Sequence, residues 1–215
     1  MSHPLPRGTL RRCLHSPGVS TQGRRIGVFG GTFDPPHVGH LVTAVNVRHA
    51  LRLDVVLLVV ANVPWQKVGE RAVSAATDRL AMVESAVAGV RGLEACDLEL
   101  QRGGVSYSAD TLDSLRRREP AAELFLVVGG DAAAGLPTWE RIDELRRLAT
   151  IVVVDRPGVT APLPPGWELE RVEVPRLEVS STDLRARVGD GRPLDYLLTP
   201  GVIDSIRARG LYRPD

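Results

Sequence analysis

Short, largely apolar runs rich in β-branched residues recur along this chain with a helical pattern between each, and that alternation narrows the possible folds more than any other feature. The runs are "RIGVFG" from Arg25, "VVLLVVA" from Val55, "LEACDLEL" from Leu93, "ELFLVVGG" from Glu123 and "TIVVVDRPG" from Thr150. Between them, "LVTAVNVRHAL", "AATDRLAMVESAVA", "SADTLDSLRRR" and "WERIDELRRLA" place apolar residues at helical spacing. A strand that is apolar on both faces must be covered on both. The pattern therefore predicts a doubly wound α/β fold with a mostly parallel, Rossmann-like sheet. At 215 residues the chain suits a single domain better than two.

Beyond Gly158 the pattern loosens. "VTAPLPPGWELERVEVP" carries Pro162, Pro164 and Pro165, which cannot donate to a central ladder, and reads as a surface loop leading to one late strand, "RVEVP". Helices are expected at "SSTDLRARV", with Ser180 or Ser181 as N-cap, and at "TPGVIDSIRARGLY", with Gly210 as C-cap. At the other end, residues 1–25 hold five arginines and no acid, which leaves 22 basic against 26 acidic residues for the rest. Residues 1–24 are read as a disordered basic extension and 25–215 as the folded domain. A slightly acidic body lacks the basic face that a duplex nucleic-acid binder needs. Cys13 and Cys96 have neither metal-ligand nor redox spacing, so no disulfide framework or zinc site is expected. No apolar run approaches the length of a membrane span or resembles a secretory signal core, and a cytoplasmic location away from membranes is expected.

The richest local signal is "GVFGGTFDPPHVGH", residues 27–40, where the first strand runs into a helix start. Ligands of open α/β sheets bind beyond the carboxyl ends of the strands. Gly30 and Gly31 allow positive φ and a close backbone approach, and the N–H groups of the helix start favour an anion. His37 and His40, three residues apart, share one side of the first turn. The spacing matches neither a dinucleotide fingerprint nor a P-loop. On these residues alone, metal binding, a surface turn and phosphate contact all stay open, and phosphate contact accounts for both the glycines and the histidines.

The longer stretch "GGTFDPPHVGH" resembles the H-x-G-H signature of the nucleotidyltransferase superfamily, and "VSSTDLRAR", residues 179–187, resembles its second signature, S-S-T-x-x-R. The pair, about 140 residues apart, is far more specific than either alone. In addition "NVPWQK", "GGVSYSADTL", "GGDAAAGLPTW", "VVVDRPG" and "GLYR" are similar, in order, to segments of the bacterial nicotinate-nucleotide adenylyltransferases, over residues 25–213. The resemblance implies transfer of the adenylyl group of ATP to nicotinate mononucleotide, giving nicotinate adenine dinucleotide and pyrophosphate in NAD biosynthesis. It implies that His37, His40 and Arg185 are catalytic, and that Gly30, Gly31, Thr32, Phe33, Gly39, Ser181 and Thr182 bind ATP. Lys67 would approach the mononucleotide phosphate, Tyr107 and Ser108 the pyridine carboxylate, and Asp131 the ribose hydroxyls, while Trp139 would stack on the pyridine ring. The plainer alternatives are Trp139 as a core anchor and Asp131 as a helix N-cap. Trp65 and Gln66 depart from the commoner Pro-His before this Lys, and Ser108 replaces a family Thr.

Mg²⁺ is expected to arrive on ATP, without metal ligands from the protein, because no carboxylate cluster lies near the motifs. The expected partners are ATP and nicotinate mononucleotide, with no nucleic acid and no membrane; the oligomeric state is open and compatible with a homo-oligomer. Two rivals stand beside this reading. One is a superfamily transferase with another acceptor, such as phosphopantetheine or a flavin mononucleotide, against which "SYSADTL" and "PTW" speak. The other is a catalytically silent nucleotide-binding protein, against which the joint presence of His37, His40 and Arg185 speaks.

Overall fold

A computed structural model describes residues 23–64, 73–155, 167 and 169–213, and in it the apolar runs become strands. They are β1 (Arg25–Gly31), β2 (Val55–Val60), β3 (Leu93–Cys96), β4 (Glu123–Gly129), β5 (Thr150–Asp155) and β6 (Glu170–Glu173). The sheet order is β3-β2-β1-β4-β5-β6, and every pairing is parallel. The helices are α1 (Val38–Ala50), α2 (Ala76–Val87), α3 (Leu98–Arg102), α4 (Ser108–Arg118), α5 (Gly130–Ala133), α6 (Ile142–Leu148), α7 (Ser181–Asp190) and α8 (Pro200–Arg209). The doubly wound architecture is as expected, and the sheet is wholly rather than mostly parallel.

β2 shows why the chain folds this way. All six of its residues are buried, and they divide by parity between two cores. Val55, Leu57 and Val59 pack with Leu112 and Leu115 of α4 and Leu145 of α6. Val56, Leu58 and Val60 pack with Ala44 and Val47 of α1 and Val83 and Val87 of α2. Each such side chain contributes about 1.5–3 kcal/mol by leaving water, so the two helical layers are held by the strand pleat itself. A third cluster joins Met82 and Ala86 of α2 to Leu184 of α7 and to Val202, Ile203 and Ile206 of α8. It fixes the last two helices against α2, outside the sheet.

Two expectations are corrected locally. "LEACDLEL" is strand only to Cys96, because Asp97 turns the chain (φ −98°, ψ 13°) and accepts a hydrogen bond from Gln101 at 2.8 Å at the start of α3. "WERIDELRRLA" is helical only from Ile142. Pro137 sits in a 3-10 turn, and Arg141, left-handed at φ 57°, is held by Asp110 and Glu144. The proline-bearing loop from Gly158 to Gly166 lies outside the described residues.

The strand order reverses at β1, whose neighbours are β2 and β4, so the crevice for a ligand opens beyond Gly31 and Gly129. Gly30 and Gly129 both face open space there. Lower in β1, Gly27 is needed for packing: a Cβ would stand 2.9 Å from both Leu53 Cδ1 and Val56 Cγ2. Gly27→Ala is expected to destabilise the protein by about 1–3 kcal/mol through overpacking. Urea denaturation would show this as a lowered midpoint with unchanged slope, and an unchanged midpoint would contradict the packing.

Candidate active site

The turn after β1 is built around one aromatic ring. Phe33 takes φ 51°, a left-handed conformation that costs a residue with a Cβ on the order of 1 kcal/mol. Its ring is 2% exposed and folds back over Gly31, where a methyl group would stand 2.7 Å from it. The expectation of positive φ at Gly30 and Gly31 is therefore corrected: Phe33 takes that conformation, and the space over Gly31 belongs to a side chain of the protein. Gly30 keeps open space above it. The Phe33 ring meets Phe29 and His40 edge-on, at centroid distances of 5.9 and 5.0 Å, so it belongs to the protein's own packing.

His37 and His40 follow at the start of α1. His37 is the N-cap, and its backbone N–H donates to His40 Nδ1 at 3.1 Å. An Nδ1 that accepts carries no proton, so the His40 proton is on Nε2. The two rings lie 3.8 Å apart at 30°. Burial pushes the His37 imidazole down to about 4, which leaves it neutral at pH 7. His37 Nδ1 is buried without a hydrogen-bond partner among the described residues. Gly39 exists for this ring: a Cβ there would stand 3.0 Å from His37 Nδ1 and 3.1 Å from Val179 Cγ1.

The second signature meets the first directly. Ser180 caps α7, accepting from the Asp183 N–H at 3.2 Å. The next residue, Ser181, donates its hydroxyl to Pro35 O at 2.9 Å, and Arg185 donates Nη1 to Asp34 O at 2.8 Å and Nη2 to Thr182 Oγ1 at 3.1 Å. The Asp34 side chain is 2% exposed, and its Oδ1 accepts from the Tyr212 hydroxyl at 2.6 Å. Burial, reinforced by that carboxylate, pushes the Tyr212 phenol far up, so it stays a donor. Val38 N–H donates to Leu197 O at 3.0 Å, which fastens the start of α1 to the segment ahead of α8.

Other candidate residues gather across the crevice. Beyond β2, the Asn62 N–H donates to Ser106 Oγ at 2.8 Å, and Asn62 Nδ2 to Gly104 O at 2.8 Å. These bonds hang the loop before α4 on the end of β2, with Tyr107 as N-cap and Ser108 as first residue of α4. Beneath it, Glu99 accepts from Thr111 at 2.6 Å, and burial pushes its carboxyl up. The Asp110–Arg141 ion pair ties the first turn of α4 to the segment holding Trp139, a half-buried ring packed on the core. Trp139 is thus at least partly the core anchor of the plainer alternative. Asp131 lies on α5; its side chain, together with Trp65, Gln66 and Lys67, is outside what the structure describes.

The family model described as cytidylyltransferase-like matches residues 28–187, from the middle of β1 through Arg187 of α7. The chain belongs to the cytidylyltransferase-like family. A Streptomyces coelicolor relative in it is 46% identical over 187 residues, covering 86% of this chain and 98% of its own. One from Halalkalibacterium halodurans is 42% identical over 191 residues, covering 88% and 92%. Both carry the name "Probable nicotinate-nucleotide adenylyltransferase", and at that identity and coverage the chain sits on that branch of the family. Among solved structures, a Plasmodium falciparum nicotinic acid mononucleotide adenylyltransferase complexed with NaAD superimposes with a TM-score of 0.72 at 16% identity, over 88% of this chain and 97% of that one. The same enzyme complexed with APC gives 0.70. These two establish likeness of fold.

Within this family member, sequence reasoning passed over Asp34, Arg79 and Tyr212, which hold the site without advertising it. Asp34 sits inside the first signature and Tyr212 inside "GLYR", so position was the available signal; Arg79 reads as an ordinary polar residue of α2. The buried His37 gives a pH prediction. Its folded value, about 4, is below the unfolded 6.5, so the native state binds fewer protons between them. Stability is fully present above pH 6.5 and falls as pH drops toward 4, by about 2–3 kcal/mol from this group. Urea titrations across that range should show a shallower acid limb in His37→Gln than in the wild type; equal limbs would contradict the burial effect.

Proposed function

We propose that this chain transfers the adenylyl group of ATP to nicotinate mononucleotide, releasing pyrophosphate and forming nicotinate adenine dinucleotide. The observation that carries the reading is the junction of the two signature segments. Arg185 and Ser181 bond consecutive carbonyls, Asp34 and Pro35, beside the stacked His37 and His40. The names of the relatives and the NaAD bound to the Plasmodium enzyme support the choice of acceptor. The reaction is read as cytoplasmic; among the described residues no helix is long and apolar enough to cross a membrane.

A phosphate oxygen of the mononucleotide attacks the α-phosphorus of ATP, the bond from that phosphorus to the α,β-bridging oxygen breaks, and the electron pair leaves with pyrophosphate. The attacking oxygen is already anionic, so no protein base or nucleophile is required. The chain's task is to hold two anions in line and to stabilise charge in the transition state. His40 offers Nε2–H to an oxygen on the α-phosphate, in the tautomer fixed by the His37 N–H. His37, neutral, acts as a second uncharged donor when its proton is on Nε2. Gly30 leaves space for the nucleotide. The N-terminal turn of α7, with Thr182 and Ser181, receives the terminal phosphates, and Arg185 meets the departing charge.

The remaining roles follow the same division. Thr32, Gly39 and the Phe33 backbone belong to the ATP side. Lys67, Tyr107, Ser108, Asp131 and Trp139 belong to the mononucleotide side. ATP is taken as its Mg²⁺ complex, since a hard dication prefers phosphate and water oxygens; among the described residues no three His, Cys, Asp or Glu come together to hold an ion.

Pyrophosphate release is the decisive measurement, with Mg-ATP and, in separate reactions, nicotinate mononucleotide, nicotinamide mononucleotide and phosphopantetheine. Release with the nicotinate substrate and none with phosphopantetheine is expected. No release with either pyridine nucleotide would overturn the proposal. In the same assay His40→Ala should lower kcat by at least about 100-fold, the loss typical of one transition-state donor. A near-wild-type kcat would remove His40 from the chemistry.

A further inference from the structure

Arg79, in the first turns of α2, is the largest fully buried side chain of the described residues, with 1% exposed. Its guanidinium reaches three backbone carbonyls on three separate segments. Nε donates to Ser74 O at 2.8 Å, Nη1 to Thr32 O at 2.8 Å and Nη2 to Asn62 O at 3.1 Å. Thr32 lies in the turn that leads to His37 and His40. Asn62 lies beyond β2 and carries the loop that ends at Tyr107, through Ser106 Oγ, Gly104 O and the Val63–Val105 bridge. Arg79 is therefore the strut between the two halves of the crevice.

Burying a guanidinium is costly, and the three carbonyls it satisfies offset only part of that cost. The geometry gives the better reason for an arginine here. A planar fork with donors in fixed directions sets the separation of the carbonyls it bonds, which a lysine, with one nitrogen on a flexible stem, cannot do. We propose that Arg79 is a positioning residue that fixes the distance between the ATP-side turn and the mononucleotide-side loop. It touches neither substrate, being enclosed by protein, and acts through Thr32 and Asn62. The inference rests on the assignment of function above.

A strut of this kind has a distinct kinetic signature. Each half-site keeps its own shape when the strut is weakened, so each substrate still binds alone; what is lost is the in-line approach of the two. Arg79→Lys should therefore bind Mg-ATP alone and nicotinate mononucleotide alone, by calorimetry, within about 3-fold of wild type, while kcat per folded molecule falls at least about 10-fold, since misplacement by an ångström can cost more than that. Arg79→Gln, which retains a planar donor, should recover part of the loss. Ser106→Ala loosens the same link while leaving the buried guanidinium and its three carbonyls in place, and keeps the question open to experiment where the Arg79 variants do not fold; it should show the same split. A lowered melting temperature with kcat unchanged, or weakened binding of either substrate with kcat unchanged, in the variants that fold would overturn the inference. A wild-type protein that forms no dinucleotide would overturn the assignment of function; an active wild type with an undiminished Arg79→Lys kcat would overturn only the role of Arg79.

Discussion

Two adjacent carbonyls, those of Asp34 and Pro35, receive side chains from 151 and 146 residues further along the chain, and the site depends on that reception. α7 leads into no further strand among the described residues and is held to the body by Leu184 in the cluster with α2 and α8. Apolar contact supplies adhesion without register. Two directed hydrogen bonds supply the register, each contributing on the order of 1 kcal/mol net, somewhat more for the charged Arg185. They meet carbonyls whose direction is set by the left-handed Phe33 just upstream. The energy lost in that backbone conformation is offset by burying the phenyl ring, so local strain is converted into orientation.

The electrostatic character of the site is less cationic than its two histidines suggest. The His37 imidazole is neutral, the His40 ring accepts a backbone N–H, and the carboxylate of Asp34 is enclosed beside a phenol that keeps its proton. In the proposed reaction, phosphate recognition would fall largely to dipoles: imidazole N–H groups, hydroxyls and helix starts, with Arg185 as a localised cation. Dipoles fixed by the fold need no reorganisation as charge moves from the attacking oxygen to the departing one. They also hold a polyanionic product less tightly than a cluster of cations would.

Much of this fold was legible because strands buried on both faces must be apolar throughout, and "VVLLVV" and "ELFLVVG" satisfy that without ambiguity. The half-strand at Leu93 was less so, since Asp97 is as compatible with an irregular strand end as with the helix start it becomes. At the site, the signatures named segments that the fold brings into contact, but not the contacts of each residue. Glycine at position 31 suggests backbone freedom; its actual neighbour is a ring two residues later, a contact that no spacing rule encodes. Arg79 was invisible for a related reason. An arginine on a helix is normally solvated, and only the convergence of three loops at its position shows where its donors go.

Gly39 links the two signatures in another way. Its missing side chain leaves room for the His37 ring on one side and Val179 on the other, and Val179 immediately precedes the serines that cap and open α7. Substitutions at these positions are therefore sterically coupled. A lineage that acquired alanine at position 39 would gain from a smaller residue at 179, far away in the gene, before the histidine could resume its place. The two motifs are two halves of one steric fit, and drift in either is answerable to the other.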